Sequence, residues 1–195
     1  MNEVKWSENI ILVDAEYVDK VAFDLIVNFE RMLGRRIPQA DMARWIDCVA
    51  LDGGLRDGEH ETHVVLIHDK VRTRLDNFAP ASFEEELSGK AFRDNLGEFV
   101  ITALPVEALT TKGDFFLETL QLACEQKEVK RIMVIPSDEL YDQVRSRLRN
   151  VDDEKRITLF NMRPREGGNF RQEILGFSLM AALGIKSEEF KNKKK

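Results

Sequence analysis

Short apolar runs rich in β-branched residues recur along the chain, each followed by a stretch whose apolar positions repeat every three or four residues. Ile10-Ile11-Leu12-Val13 is the first such run; Asp14 ends it, and Val21, Leu25, Ile26, Phe29 and Leu33 then follow at helical spacing. Gly34 supplies a helix stop and Pro38 a fresh start. Met42, Trp45, Ile46, Val49 and Ala50 mark a second helix, closed by Asp52-Gly53-Gly54. The polar stretch to Thr62 reads as an exposed loop. Val64-Val65-Leu66-Ile67 is a second strand, trailed by His68-Asp69-Lys70. A helix is expected over 83–96, then a third strand at Phe99-Val100-Ile101 that Pro105 breaks. Phe115, Phe116, Thr119, Leu120, Leu122 and Ala123 continue with another helix. Ile132-Met133-Val134-Ile135 and Ile157-Thr158-Leu159-Phe160 supply strands four and five, with helices expected over 138–149 and 170–183.

Continuous apolar strands imply that both sheet faces are covered, and the helices between them supply right-handed crossovers. The expected fold is therefore α/β, a three-layer sandwich around a mainly parallel five-stranded sheet. No internal repeat and no Pro- or Ser-rich linker interrupts it, so one domain is expected over 1–190 with a basic, solvated tail at 191–195. A chain of 195 residues, 43% hydrophobic and 33% charged, has the balance of an ordinary folded protein. Its net charge of −6 excludes a large, strongly basic nucleic-acid groove, although a local patch can sit on an acidic molecule. No basic segment with a long apolar run opens the chain and no stretch reaches membrane-spanning length, so a cytoplasmic protein without membrane contact is expected. Cys48 and Cys124 lie far apart in apolar surroundings and are expected to be buried thiols.

In such sheets ligands bind beyond the carboxyl ends of the strands, chiefly where strand order changes direction. Asp14 directly follows strand one, Asp114 opens the helix after strand three, and Asp138 opens the helix after strand four. Carboxylates gathered at one edge repel one another unless a cation compensates, which is the arrangement that recruits Mg²⁺ or Mn²⁺ in phosphodiester chemistry. Aspartate is equally favoured at helix N-termini for capping, and on that reading the three serve only the helices they precede.

The residues around these aspartates carry a family resemblance. Ile10-Ile11-Leu12-Val13-Asp14-Ala15-Glu16-Tyr17-Val18 resembles the opening of the PIN-like and NYN ribonuclease superfamily, in which an apolar strand ends in Asp within patterns such as VDGENV. Lys112-Gly113-Asp114 resembles that superfamily's KGxD segment, and Val129-Lys130-Arg131-Ile132-Met133-Val134-Ile135-Pro136-Ser137-Asp138 resembles its strand leading into SGDSDF, with Tyr141 and Val144 at fitting distances. The segments stand in the family's order. The resemblance implies a sheet of order 3-2-1-4-5, an acidic pocket holding Mg²⁺ or Mn²⁺, and hydrolysis of RNA. Asp14, Asp114 and Asp138 would be the catalytic metal ligands, with Glu118 as helper one helical turn beyond Asp114.

The sequence also departs from that pattern. Tyr17 stands where the family often has Asn, Lys112-Gly113-Asp114 is one residue shorter than KGxD, Leu140 replaces the second acid of SGDSDF, and Pro136 and Ser137 occupy its small-residue turn. Fewer carboxylates bind a divalent ion less tightly. The alternative is thus a non-catalytic relative that keeps the scaffold for ligand binding or protein association, as a homodimer or with another protein.

Other features change the picture less. His60, His63 and His68 fall close together, but no single element aligns them as zinc ligands. Gly53-Gly54, Gly113 and Gly167-Gly168 form no phosphate-binding GxGxxG or GxxxxGK[ST], and turn geometry accounts for them. Arg163, Arg165 and Arg171 make a basic loop after strand five, suited to a phosphate backbone or simply solvated. Ser7, Ser82, Ser137 and Ser178 sit in no GxSxG elbow. The stripes Met42, Trp45, Ile46 and Phe170, Ile174, Phe177, Leu183 read as core rather than partner surface. A receiver-like phosphoacceptor would need an Asp after strand three, where Thr102-Ala103-Leu104-Pro105 stands instead.

Overall fold

The computed structural model describes residues 6–151, 154–163, 165 and 170–191. In chain order its elements are β1 (Asn9–Asp14), α1 (Ala15–Leu33), β2 (Ala40–Asp41), α2 (Met42–Asp52), β3 (His60–Asp69) and β4 (Phe78–Ala79). A π-helical turn (Phe83–Leu87), β5 (Ala91–Asp94), β6 (Gly97–Val106), α3 (Lys112–Glu125), β7 (Arg131–Ile135) and α4 (Tyr141–Leu148) follow. The last elements are β8 (Arg156–Asn161), β9 (Arg171–Ile174), α5 (Leu175–Ala182) and α6 (Glu188–Lys191).

β1 lies at the centre of the main sheet because all six of its residues are buried. It runs parallel to β3 on one side and β7 on the other, with Ile11 level with both Val64 and Met133. Successive side chains of a strand face opposite ways. Ile11 and Val13 therefore pack with Trp45, Ile46, Val49 and Leu179, whereas Ile10 and Leu12 pack with Phe116, Leu120 and Val144. α1, α2 and α5 cover the first face and α3 and α4 the second, which gives an α/β fold of three layers around a mostly parallel sheet.

The main sheet has seven strands, not five, in the order β5-β6-β3-β1-β7-β8-β9, and β2 and β4 form a separate pair. Both additional strands lie at edges. The helix expected over 83–96 is instead one π-helical turn followed by β5, which pairs antiparallel with β6. Gly97 makes that hairpin: its φ is +105°, and a Cβ there would lie 2.1 Å from the His60 carbonyl oxygen. The helix expected over 170–183 is shortened by β9, whose Arg171–Ile174 pair in parallel with Thr158–Asn161 of β8. The stretch to Thr62 is strand from His60 onward, and α2 starts at Met42, capped by Asp41, rather than near Pro38.

Pro105 does not break β6. On the edge it faces, Ile101 N donates to Lys90 O and Ala103 N to Ser88 Oγ, and β5 ends its pairing at Val100. Two residues further along, the position needs no donor, so proline is tolerated there. Gly34 stops α1 as expected, at φ 65° with its N–H on Glu30 O.

Trp45 is 1% exposed and packs edge-to-face on Phe78, with ring centres 5.5 Å apart. Phe177, expected in the core, is 67% exposed on α5. Cys48 and Cys124 are free and half-buried rather than buried. Lys191 ends α6, whereas 192–195 and Gly167-Gly168 lie outside the described residues. Among the described residues, no helix is long and apolar enough to cross a membrane.

Candidate functional site: a lysine among three carboxylates

Asp14 has two tasks at the carboxyl end of β1. Its backbone is still extended (φ −81°, ψ 103°), and its Oδ1 accepts from Tyr17 N at 3.1 Å, so it caps α1. Its side chain is only 5% exposed and meets the ammonium of Lys112, the first residue of α3, with Nζ 3.3 Å from Oδ1. The same Nζ lies 3.3 Å from Glu16 Oε1 and 3.8 Å from Asp69 Oδ2. Glu16 comes from the first turn of α1 and Asp69 from the end of β3, and Glu16 Oε1 accepts the Asp69 N–H at 2.7 Å. The group sits beyond the carboxyl ends of the neighbouring strands β1 and β3.

Burial raises the Asp14 carboxyl above its ordinary range, and the Lys112 charge pulls against it. Burial raises Glu16 as well, against the Asp69 N–H and Lys112, and Glu16 Oε2 is buried without a hydrogen bond among the described residues. Burial alone would lower Lys112, but Asp14, Glu16 and Asp69 outweigh it and hold the ammonium above its usual value. Three acidic side chains thus surround one protonated amine, which supplies one unit of the compensating charge of which a divalent ion would bring two.

The expected ligands are distributed differently. Asp138, exposed after β7, accepts from the Tyr17 hydroxyl at 3.0 Å. Tyr17 therefore connects Asp14, which holds its N–H, to Asp138, which holds its hydroxyl. Asp114 and Glu118 are exposed on α3, and Asp114 N donates to the cap residue Thr111 at 3.1 Å. The Lys112-Gly113-Asp114 segment reaches the buried carboxylates through its lysine. Among the described residues, no three His, Cys, Asp or Glu side chains are grouped so as to hold a metal ion. With an ammonium between Asp14, Glu16 and Asp69, the donor set as arranged does not fit Mg²⁺ or Mn²⁺.

Residue-by-residue reading of the sequence missed Asp69, Glu16 and Lys112 as one group. Asp69 carried the same signal as Asp14, an acid at the end of a buried apolar run. The histidines engage separate partners: His60 approaches Glu8 at 3.8 Å, His63 Nε2 meets Thr102 Oγ1 at 2.6 Å, and His68 stacks on Phe83 at 3.9 Å. Arg165 lies 4.4 Å over the Tyr141 ring and 3.4 Å from Asp142, while Arg171 pairs with Glu173.

No curated protein and no solved structure matches the chain. A family of unknown function, DUF6621, matches residues 3–190. The chain belongs to that family.

Proposed function

We propose that this protein is a non-catalytic relative of the PIN-like and NYN ribonucleases, in which Lys112 neutralises the acidic site from within and the crevice recognises a ligand rather than cleaving RNA. The observation that carries the reading is the position of Lys112 Nζ, within 3.8 Å of Asp14, Glu16 and Asp69. Strand order supports the kinship: the five apolar runs, numbered along the chain, correspond to β1, β3, β6, β7 and β8, which stand side by side as 3-2-1-4-5 within the larger sheet. Tyr17 and Leu140 at positions where the superfamily has a polar and an acidic residue also favour recognition over hydrolysis.

Calorimetry with Mn²⁺, alongside incubation with a single-stranded RNA pool, tests the proposal on the unaltered chain, Lys112→Met and Asp14→Asn. The expected result is no Mn²⁺ binding and no cleavage by the unaltered chain, with Mn²⁺ affinity appearing in Lys112→Met, where the carboxylates lose their counter-ion. Metal binding and RNA cleavage by the unaltered protein, both lost in Asp14→Asn, would overturn it in favour of a metal-dependent ribonuclease.

A further inference from the structure

A second feature at the carboxyl ends of the strands lies toward β7 and β8 and is basic. Beyond the carboxyl ends of β1, β7 and β8, a cavity of about 590 Å³ is lined by Tyr17, Lys20, Asp24, Asn161, Arg163 and Arg165. That volume is within the range of about 300–1,000 Å³ that holds small organic ligands. It sits at the point where the chain, having built outward from β1 through β3 and β6, crosses back to β7, which is where open α/β sheets bind ligands.

The lining carries three cations, Lys20, Arg163 and Arg165, against the carboxylates of Asp24 and Asp138, on a chain whose net charge is −6. Asp138 is already engaged by the Tyr17 hydroxyl and Arg165 by Tyr141 and Asp142. Among the described residues, neither Lys20 nor Arg163 makes an ion pair. Asn161, at the end of β8, is 5% exposed, and its Oδ1 accepts from Met162 N at 2.7 Å. Its Nδ2 is fully buried, beside the Tyr141 hydroxyl. Val21, Leu25 and Met162 supply apolar lining beside these groups.

We propose that this crevice binds a small organic phosphomonoester, with the phosphate held by Lys20 and Arg163 and the organic group against Val21, Leu25 and Met162. Two cations without an ion pair among the described residues match a group that carries about −1.5 to −2 charge and three strong acceptor oxygens better than a singly charged carboxylate. The assignment rests on the crevice being a recognition surface, but phosphate binding does not depend on the state of Lys112. The phosphate source is either a free mononucleotide-like metabolite or the phosphorylated end of an RNA.

Calorimetric titration of the full chain, without added metal, against adenosine monophosphate, adenosine, inorganic phosphate and single-stranded RNA with a 5′-phosphate or a 5′-hydroxyl tests this. The expected result is binding of adenosine monophosphate at least about tenfold tighter than adenosine, weakened about tenfold in Lys20→Gln and in Arg163→Gln with unchanged melting temperatures. Both cations are exposed, so neither variant should disturb the fold. A preference for 5′-phosphorylated over 5′-hydroxyl RNA assigns the source to RNA ends, and binding of the mononucleotide alone assigns it to a metabolite. Equal affinity for adenosine and its phosphate, no binding at millimolar probe, or affinities unmoved by both cation variants would overturn the proposal. RNA cleavage by the unaltered protein would overturn the non-catalytic reading and leave this titration standing. Silence in both assays would remove only the phosphate site.

Discussion

The Tyr17 hydroxyl donates to Asp138 Oδ1 at 3.0 Å, so one side chain joins the first turn of α1 to the loop after β7 across a separation of 121 residues. Burial first, and then the Asp138 charge, hold this phenol well above its ordinary value of 10. The chain has two tyrosines, and burial raises Tyr141 as well. In an ultraviolet titration of the native protein, both phenols should ionise above the usual tyrosine range. Asp138→Asn should move one of them downward by removing the neighbouring charge, and Tyr17→Phe should leave a single phenol that titrates as Tyr141 does in the unaltered chain.

Trp45 and Ser178 fix the packing of α2 on α5. The buried indole Nε1 donates to Ser178 Oγ at 3.1 Å, and Ser178 Oγ donates onward to Leu175 O at 2.8 Å. Ser178→Ala leaves a buried N–H without an acceptor and should cost roughly 1–3 kcal/mol, read from urea unfolding. Ser178→Thr keeps the oxygen, and its loss should come from the crowding of an added methyl rather than from an unpaired donor.

Asp19 holds down the loop between β3 and β4. Its carboxylate, in a residue 8% exposed, accepts from the N–H groups of Asp76 and Asn77 and from Asn77 Nδ2. Asp19→Ala should speed amide hydrogen exchange at residues 76 and 77 and destabilise the protein by about 1–3 kcal/mol, leaving exchange in β1 governed by global unfolding. Unchanged exchange at both amides would count against the latch.

Stability should fall as pH rises through the neutral range. Burial, and a hydrogen bond shared with Asp94, raise the Asp47 carboxyl from 3.8 to about 7. Between those values the folded state binds more protons than the unfolded one, so the contribution is fully present only below 3.8 and is lost progressively as pH rises through about 7. Burial raises Glu16 in the same direction, and Asp52 to about 6. Urea unfolding between pH 4 and pH 8 should show this slope, flattened but not abolished in Asp47→Asn.

What the sequence determined by itself was the interior and its punctuation. Strands β1, β3, β7 and β8 were legible because burial on both faces demands continuous apolar runs, and α1 was legible because its apolar stripe ends at a glycine able to take a left-handed conformation. The edge strands Ala91–Asp94 and Arg171–Ile174 were not legible: each is short, polar and partly exposed, and is made a strand by a neighbour it pairs with on one side only. The site divides in the same way. Asp14 announced itself locally, as an acid closing a buried strand. That its counter-charge is Lys112 was decided by tertiary structure alone, because Glu16 and Lys112 are 96 residues apart and meet only when α3 packs at the carboxyl ends of β1 and β3. Spacing along a chain encodes which face a side chain takes. Which charge it will neutralise depends on how the sheet is ordered, and that is fixed only when the strands pair.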